Sequence, residues 1–354
     1  MNFNWKEVLR YQMRKKLKIV LVGCGGMSGA WLNVASQMDQ VELVGLVDVR
    51  EEAANKRAED YNLSEAIIDT DLKTVLTRTE PDVVFDCTVP ESHTHITTTA
   101  LRHGCHVLGE KPMADNMKNA KISIEAAEEA GKLYAVIQNR RYNPQIRRLR
   151  KFLESGAIGN ITTVNCDFYI GAHFGGFRDH MKHVLLVDMA IHTLDAARFI
   201  SGADPVSVYC KEWNPKGSWY DHDASAIAVY EMTDDIVYTY RGSWCSEGLN
   251  TTWESDWRII GDKGSVKWDG GGQMAADIVT EAGGFHSKCE NVEIPPFDGN
   301  DRVGGHQGLI HEFIECVQTG GTPETIYTDN IKSLAMVFGA IDSSKSGQCL
   351  RIEW

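Results

Sequence analysis

The sequence predicts an α/β protein in two parts: a doubly wound parallel sheet over residues 17–140, then an α+β domain with a large, mostly antiparallel sheet over residues 141–354. Three observations carry this. Short runs rich in Val, Ile and Leu alternate with helical stretches as far as Ile137, the pattern of βαβ units. A glycine turn follows the first of those runs directly. After Gly156 the pattern shifts to longer segments rich in Val, Ile, Thr and Tyr, which favour strands. In order, Leu17–Val22 reads as a fully covered strand, Ser28–Met38 as a helix, and Val41–Val47 as a strand ending at Asp48. Glu51–Tyr61 is helical, Ala66–Ile68 a short strand, and Asp71–Thr77 a helix that Asp71 starts. Val83–Cys87 is a strand, His95–His103 a helix closed by Gly104, His106–Leu108 a strand, Asn116–Ala130 a helix closed by Gly131, and Leu133–Ile137 a strand. The boundary falls near Asn139–Pro144. Beyond it come a basic helix, Pro144–Ser155, read as a solvated charged face, and strands at Ile161–Tyr169, Ala224–Met232 and Ile236–Ser243. A helix is expected around Asp188–Ile200, a hairpin over Arg258–Trp268, and helices at Leu309–Gln318 and Asn330–Ser344.

Composition narrows the function. Net charge is −13, which argues against nucleic acid or an anionic membrane as the main partner. No stretch approaches the ~20 apolar residues of a membrane span. Residues 1–16 read as a short amphipathic extension without the apolar core of a signal peptide. The nine cysteines are scattered, odd in number and never form C-x-x-C, so reduced thiols in a cytoplasmic protein are expected.

Two signals carry the chemistry. Gly23-Cys24-Gly25-Gly26-Met27-Ser28 follows a buried strand and opens a helix, where backbone can approach a pyrophosphate and the helix N-terminus stabilises its charge. Asp48 ends the second strand, 25 residues after Gly23, where a carboxylate accepts hydrogen bonds from ribose hydroxyls and repels a 2′-phosphate. NAD is therefore expected over NADP, with Arg50 as the residue that argues the other way. Glu110-Lys111-Pro112 closes a later strand and places a lysine near the same crevice.

These residues resemble the Gfo/Idh/MocA oxidoreductase family, which includes glucose–fructose oxidoreductase and inositol dehydrogenases. Besides the glycine turn, the matching segments are Pro90 and His93 before Ala100-Leu101, Gly104 through Pro112, Arg141-Tyr142-Asn143-Pro144, Gly156-Ala157-Ile158-Gly159, Asp188-Met189-Ala190-Ile191-His192, and Phe313 to Gly320, in order from about Leu17 onward. The resemblance implies a Rossmann domain (residues 17–140) and an open-faced substrate-binding and oligomerisation domain (residues 141–354). It also implies a homodimer or homotetramer built through the second sheet, and a bound nicotinamide cofactor. It implies Lys111 and His192 as catalytic residues with Asp188 beside them. Cofactor contacts are then expected from Gly23, Gly25, Gly26, Met27, Asp48, Arg50, Thr88, Pro90, His93, Glu110 and Lys111.

The chemistry explains those residue types. Oxidising a secondary alcohol needs a base and stabilisation of the developing alkoxide. Histidine, with an ordinary pKa near ~6.5, suits the first task, and the three donors of a lysine ammonium the second. Asp188 and His192, four apart, share one face of an α-helix. The stretch His173–His183, rich in glycine, histidine and charge, reads as a substrate loop, with Arg178 able to grip an anionic group or pair with Asp179. Tyr169, His173 and His306 are further substrate-site candidates. The histidine spacings match no common zinc pattern, so no metal is expected. The leading function is oxidation of a secondary hydroxyl of a sugar, anhydrosugar or cyclitol. The alternatives are an NAD-dependent glycoside hydrolase that oxidises its sugar transiently, possibly acting on an anionic glycoside, and a cofactor-bound regulator without catalysis.

Overall fold

The structure is a computed structural model and describes residues 16–299 and 301–354. The proposed N-terminal extension lies, apart from Lys16, outside the described residues. The chain divides into two compact units. The first runs to Asn139 and takes in Arg302–Ile331; the second comprises Arg140–Asp301 and Lys332–Trp354. No helix among the described residues is long and apolar enough to cross a membrane.

The first unit holds a six-stranded parallel sheet of β1 (Leu17–Val22), β2 (Val41–Val47), β3 (Ile67–Asp69), β4 (Val83–Asp86), β5 (His106–Gly109) and β6 (Tyr134–Val136). The strand order is β3-β2-β1-β4-β5-β6, so the order reverses beside β1. Five helices connect them: α1 (Ser28–Ala35), α2 (Glu51–Asp60), α3 (Leu72–Thr79), α4 (Pro90–Arg102) and α5 (Met117–Ala130). Ile19, Val20 and Leu21 are fully buried, as β-branched and aliphatic residues of a strand covered on both faces must be. Two helix limits differ from expectation. α1 stops at Ala35, short of Met38. α4 begins at Pro90 rather than His95, because proline fits the first helical position, where no N–H is needed.

The segment 302–331 corrects the expected domain limits, since it belongs to the first unit rather than the second. α8 (His306–Thr319) packs on α1, Val136 N–H donates to Thr325 O at 3.1 Å, and Ala135 bridges Ile326. The open edge of β6 is thereby paired.

At β5, Leu133 N–H donates to His106 Nδ1 at 3.0 Å, so the ring serves as an acceptor there. Burial, reinforced by Lys132, lowers the His106 pKa to about 4. An unfolded chain binds a proton at this ring near ~6.5, so its contribution is complete above that pH and is lost as pH falls toward about 4. Discounted for the ring's partial exposure, the expected loss is on the order of 1–2 kcal/mol, read as a lower urea midpoint near pH ~4.5 than at neutrality. His106→Gln should flatten that slope.

The second unit is built on a nine-stranded sheet, ordered β14-β13-β12-β11-β7-β10-β9-β8-β15. Its strands are β7 (Ile161–Tyr169), β8 (Pro205–Trp213), β9 (Ser225–Met232), β10 (Val237–Ser243), β11 (Asp256–Gly261), β12 (Gly264–Trp268), β13 (Met274–Glu281), β14 (Lys288–Val292) and β15 (Leu350–Arg351). β7 and β10 pair parallel; the other pairs in this sheet are antiparallel. Side chains alternate between faces. One face buries Val164, Cys166, Phe168, Tyr230, Tyr238, Tyr240, Trp257 and Trp268. On the other, Tyr209, Ile227, Val229, Val237 and Ile260 are solvent-exposed, with an Arg241–Asp167 ion pair among them.

α6 (Pro144–Glu154) departs from the solvated face expected of its basic run. Arg147 is buried, lies 4.7 Å above the Tyr142 ring and pairs with Asp301 at 3.0 Å. Arg148 donates to the carbonyls of Ile294 and Pro295, and Lys151 pairs with Asp298 at 2.7 Å. The charges fasten Ile294, Pro295, Asp298 and Asp301 along the helix.

A second departure lies ahead of α7 (Ile191–Ser201). The helix expected around Asp188–Ile200 opens with a π-helical turn, Leu185–Ala190. Such widened turns interrupt α-helices and recur at functional sites. Behind it, Arg141 grips Asp195 through two hydrogen bonds of 2.6 and 2.7 Å, both side chains buried, with Ser333 donating to the same carboxylate. This pair ties the Arg141–Pro144 segment to α7. The final helix, α9 (Tyr327–Ser346), follows.

Candidate active site

In the first unit the glycine turn follows from backbone sterics. Gly23 has φ +88°, and a Cβ there would lie 2.6 Å from the Cys87 carbonyl carbon and oxygen. No other residue fits. A Cβ on Gly25 or Gly26, by contrast, meets nothing within 4 Å. Both glycines face a cavity of about 400 Å³ lined also by Cys24, Arg50, Glu52, Ala53, Lys56 and Arg57. Backbone N–H groups facing such a space at a helix start suit a pyrophosphate. The residues therefore fit a bound dinucleotide.

Asp48 stands at the end of β2, buried, with Cys24 N–H donating to one carboxylate oxygen at 2.7 Å and Arg50 N–H to the other at 2.9 Å. The carboxylate is thus held by the turn itself and retains lone pairs for hydroxyl donors. The Arg50 side chain is 72% exposed and its Nε lies 3.9 Å from Asp48. Met27 caps α1, half-exposed. Burial pushes the Cys24 thiol up to about 12, so this cysteine is no nucleophile.

Sequence reasoning missed two residues that build this end. Arg57 donates to Ser28 Oγ (3.0 Å) and to Gly25 O (2.9 Å), pinning the turn from α2. Trp31 Nε1 donates to Glu110 Oε1 at 2.8 Å, so the indole of α1 anchors the loop carrying Lys111. Neither has a local motif, because each acts across more than 25 residues of sequence.

Around Lys111, the side chains of Glu110, His306 and His93 each have protein partners. Glu110 is buried, and besides Trp31 it accepts from Lys111 N–H at 3.2 Å and lies 3.8 Å from His306 Nε2. Burial raises its carboxyl, but nearby His306, the hydrogen bond from Trp31 and the charge of Lys111 outweigh it, leaving a lowered pKa. His306, expected on the substrate side, belongs to this first unit and also contacts Asn139 at 3.2 Å. His93 is buried, with one ring nitrogen 2.8 Å from Pro112 O and the other 3.1 Å from Thr88 O. It braces the loop instead of lining a pocket. Thr88 caps the buried Asp86, whose carboxyl burial raises, through its N–H at 3.0 Å and its hydroxyl. Pro90 starts α4. Lys111 itself is half-buried at the head of a cis Lys111–Pro112 bond.

In the second unit the π-turn carries Asp188, and His192 follows in the first turn of α7. Val187, Asp188 and His192 are half-buried while Leu185, Leu186, Met189, Ala190 and Ile191 are buried, so the three share the open side. Arg178 Nε donates to Asp188 Oδ2 at 2.8 Å. The partner is Asp188, not the neighbouring Asp179. The guanidinium lies 5.0 and 4.8 Å from the Phe174 and Phe177 ring centroids, both rings exposed. His173 stacks on Trp219 at 3.7 Å and contacts Glu247 at 2.8 Å. Tyr169 sits in the outward register of β7 with Asn165 and Asp167, on the sheet face opposite buried Cys166 and Phe168.

A glycine turn between a buried strand and a helix, with a carboxylate at the end of the next strand, is the arrangement of a dinucleotide-binding unit. A family model described as the oxidoreductase family with an NAD-binding Rossmann fold matches residues 17–138, and the GFO/IDH/MocA C-terminal domain matches residues 146–267. The chain belongs to the Gfo/Idh/MocA family of NAD-binding oxidoreductases. An uncharacterized protein of Sinorhizobium fredii is 28% identical over 95% of this chain and 96% of its own length. D-apiose dehydrogenase of Paraburkholderia graminis is 23% identical over 96% of this chain and 90% of its own. An oxidoreductase of Agrobacterium radiobacter, solved with NAD+, L-tartaric acid and magnesium, superposes with TM-score 0.82 at 19% identity, covering 95% of this chain and 98% of its own.

Proposed function

We propose that this chain oxidises a secondary hydroxyl of a sugar, anhydrosugar or cyclitol, using NAD rather than NADP, with Lys111 polarising the reacting oxygen and His192 as general base. The observation that carries the reading is the cluster on the open side of the π-turn, where a carboxylate and an imidazole stand one turn apart. Asp188, held by Arg178, accepts hydrogen bonds from a vicinal hydroxyl, so the substrate class is polyhydroxylated. Exposed Phe174, Phe177 and Trp253 offer apolar faces to ring C–H groups. The relatives named for apiose, anhydrofructose and inositol support a carbohydrate.

The residues that would hold the dinucleotide are Gly25 and Gly26 by backbone and Asp48 by carboxylate. When bound, its nicotinamide ring accepts the hydride. His192 takes the hydroxyl proton, and the Lys111 ammonium stabilises the alkoxide charge that develops as the proton leaves. The buried Asp48 carboxylate disfavours a 2′-phosphate. The test is a carbohydrate panel run with NAD and NADP side by side, following reduced cofactor. Turnover with no member of the panel, or release of a free sugar from a glycoside without net NADH, would overturn the reading.

We further propose that the exposed face of the second sheet makes a homo-oligomer. Tyr209 pairs with Val229, and Lys211 with Ile227, so the exposed apolar residues form adjoining rows. Ile227→Lys with Val229→Lys should convert the oligomer to monomer in light scattering without unfolding it. An unchanged mass places the contact elsewhere.

A further inference from the structure

A buried carboxylate away from the residues assigned above stands out. Glu212 lies on β8 with its side chain 1% exposed, in contact with His183 Nδ1 through Oε2 at 2.6 Å. Its other oxygen, Oε1, is buried and has no hydrogen-bond partner among the described residues. Asp223, in the connection leading into β9, completes a group whose ligand atoms all lie within 4.8 Å of one another. The three come from separate segments: the end of the His173–His183 loop, the next-to-last strand of the sheet and a strand-to-strand connection. His183 holds a left-handed backbone, φ +55°, which a non-glycine residue adopts only where its surroundings impose it.

We propose that His183, Glu212 and Asp223 bind one divalent transition-metal ion, Zn²⁺ by preference. One imidazole and two carboxylates form a three-ligand set with room for water in the remaining position. The nitrogen ligand selects zinc over magnesium or calcium, which prefer oxygen alone. A cation satisfies the orphaned Oε1 and neutralises a carboxylate that burial otherwise pushes toward its protonated form, an effect His183 opposes. The half-buried His183 and Asp223 side chains have the freedom to close on the ion, whereas Glu212 is fixed. Val187 N–H donates to His183 O, so an ion held here fastens the start of the π-turn that carries Asp188. Its role is to hold the loop, and the hydride-transfer proposal does not depend on it.

The test uses the full chain, stripped with chelator and titrated with ZnCl₂ by calorimetry. We expect one saturable site, weakened at least ~100-fold by His183→Ala and by Glu212→Gln, and ~10-fold or more by Asp223→Asn. Asp223→Asn is the control should the buried Glu212 variant misfold, because Asp223 is partly exposed. Substitution with Co²⁺ should give ligand-field bands and no thiolate charge-transfer band. Affinity unchanged in the three variants, a thiolate band from the cysteines, or no saturable Zn²⁺ uptake would each overturn the site. Uptake of Mg²⁺ as strong as Zn²⁺ would overturn the choice of ion.

Discussion

On the proposed mechanism, Lys111→Met is expected to lower kcat for sugar oxidation by about 10³-fold while the chain still folds and still binds NAD. Methionine keeps most of the apolar stem of lysine but supplies neither positive charge nor N–H donors. Other contacts hold the loop around it: Glu110 is fixed by Trp31 and by a backbone N–H, and Pro112 O by His93. The lost quantity is therefore stabilisation of the developing alkoxide. Steady-state kinetics checks the first half, and quenching of intrinsic fluorescence by NADH the second. A rate within tenfold of wild type would remove Lys111 from the mechanism. His192→Asn should lose turnover on the scale of a missing general base, about 10²–10⁴-fold. It should also abolish the acidic limb of the pH–rate profile, a change that simple loss of packing would not produce.

Gly23→Ala and Gly26→Ala separate the two uses of glycine in one turn. At Gly23 the added methyl carbon meets Cys87 C and O at 2.6 Å and Thr88 N at 2.8 Å, all backbone atoms that cannot step aside, at a φ of +88°. The expected outcome is destabilisation of about 2–4 kcal/mol, seen as a lower Tm of the cofactor-free protein. At Gly26 the same carbon enters open space lined by Arg50, Lys56 and Arg57. Its Tm should stay near wild type, while NAD affinity falls at least ~10-fold because the methyl occupies room that a pyrophosphate needs. Equal Tm losses in the two variants would show that the cavity is packing space, not a nucleotide cradle.

Much of the first unit was legible because its rules are local. A run such as Leu17–Val22 is apolar throughout because both sheet faces are covered, and glycine or asparagine marks helix ends at Gly131 and Asn116. The parallel sheet and the glycine turn follow from the same grammar. What could not be read was long-range. Arg57, Trp31 and the Arg141–Asp195 pair act through contacts that no spacing encodes. The π-turn at Leu185–Ala190 escaped because its residues are ordinary helix formers and only packing decides the extra residue. The buried arginine of α6 read as solvated because its partners lie some 150 residues away. Among the candidate site residues, Lys111, Asp188 and His192 were proposed from their motifs. Their supports were missed, and Arg178 was found without its true partner.

The return of residues 302–331 to the first unit has a consequence for biosynthesis. A nascent chain that has emerged only as far as Asn139 holds all six parallel strands, yet β6 lacks Thr325 and Ile326, and Glu110 lacks His306. Until the ribosome has made the last third of the polypeptide, the earliest domain to appear waits with an open edge. A truncated fragment ending there should be the species that chaperones retain.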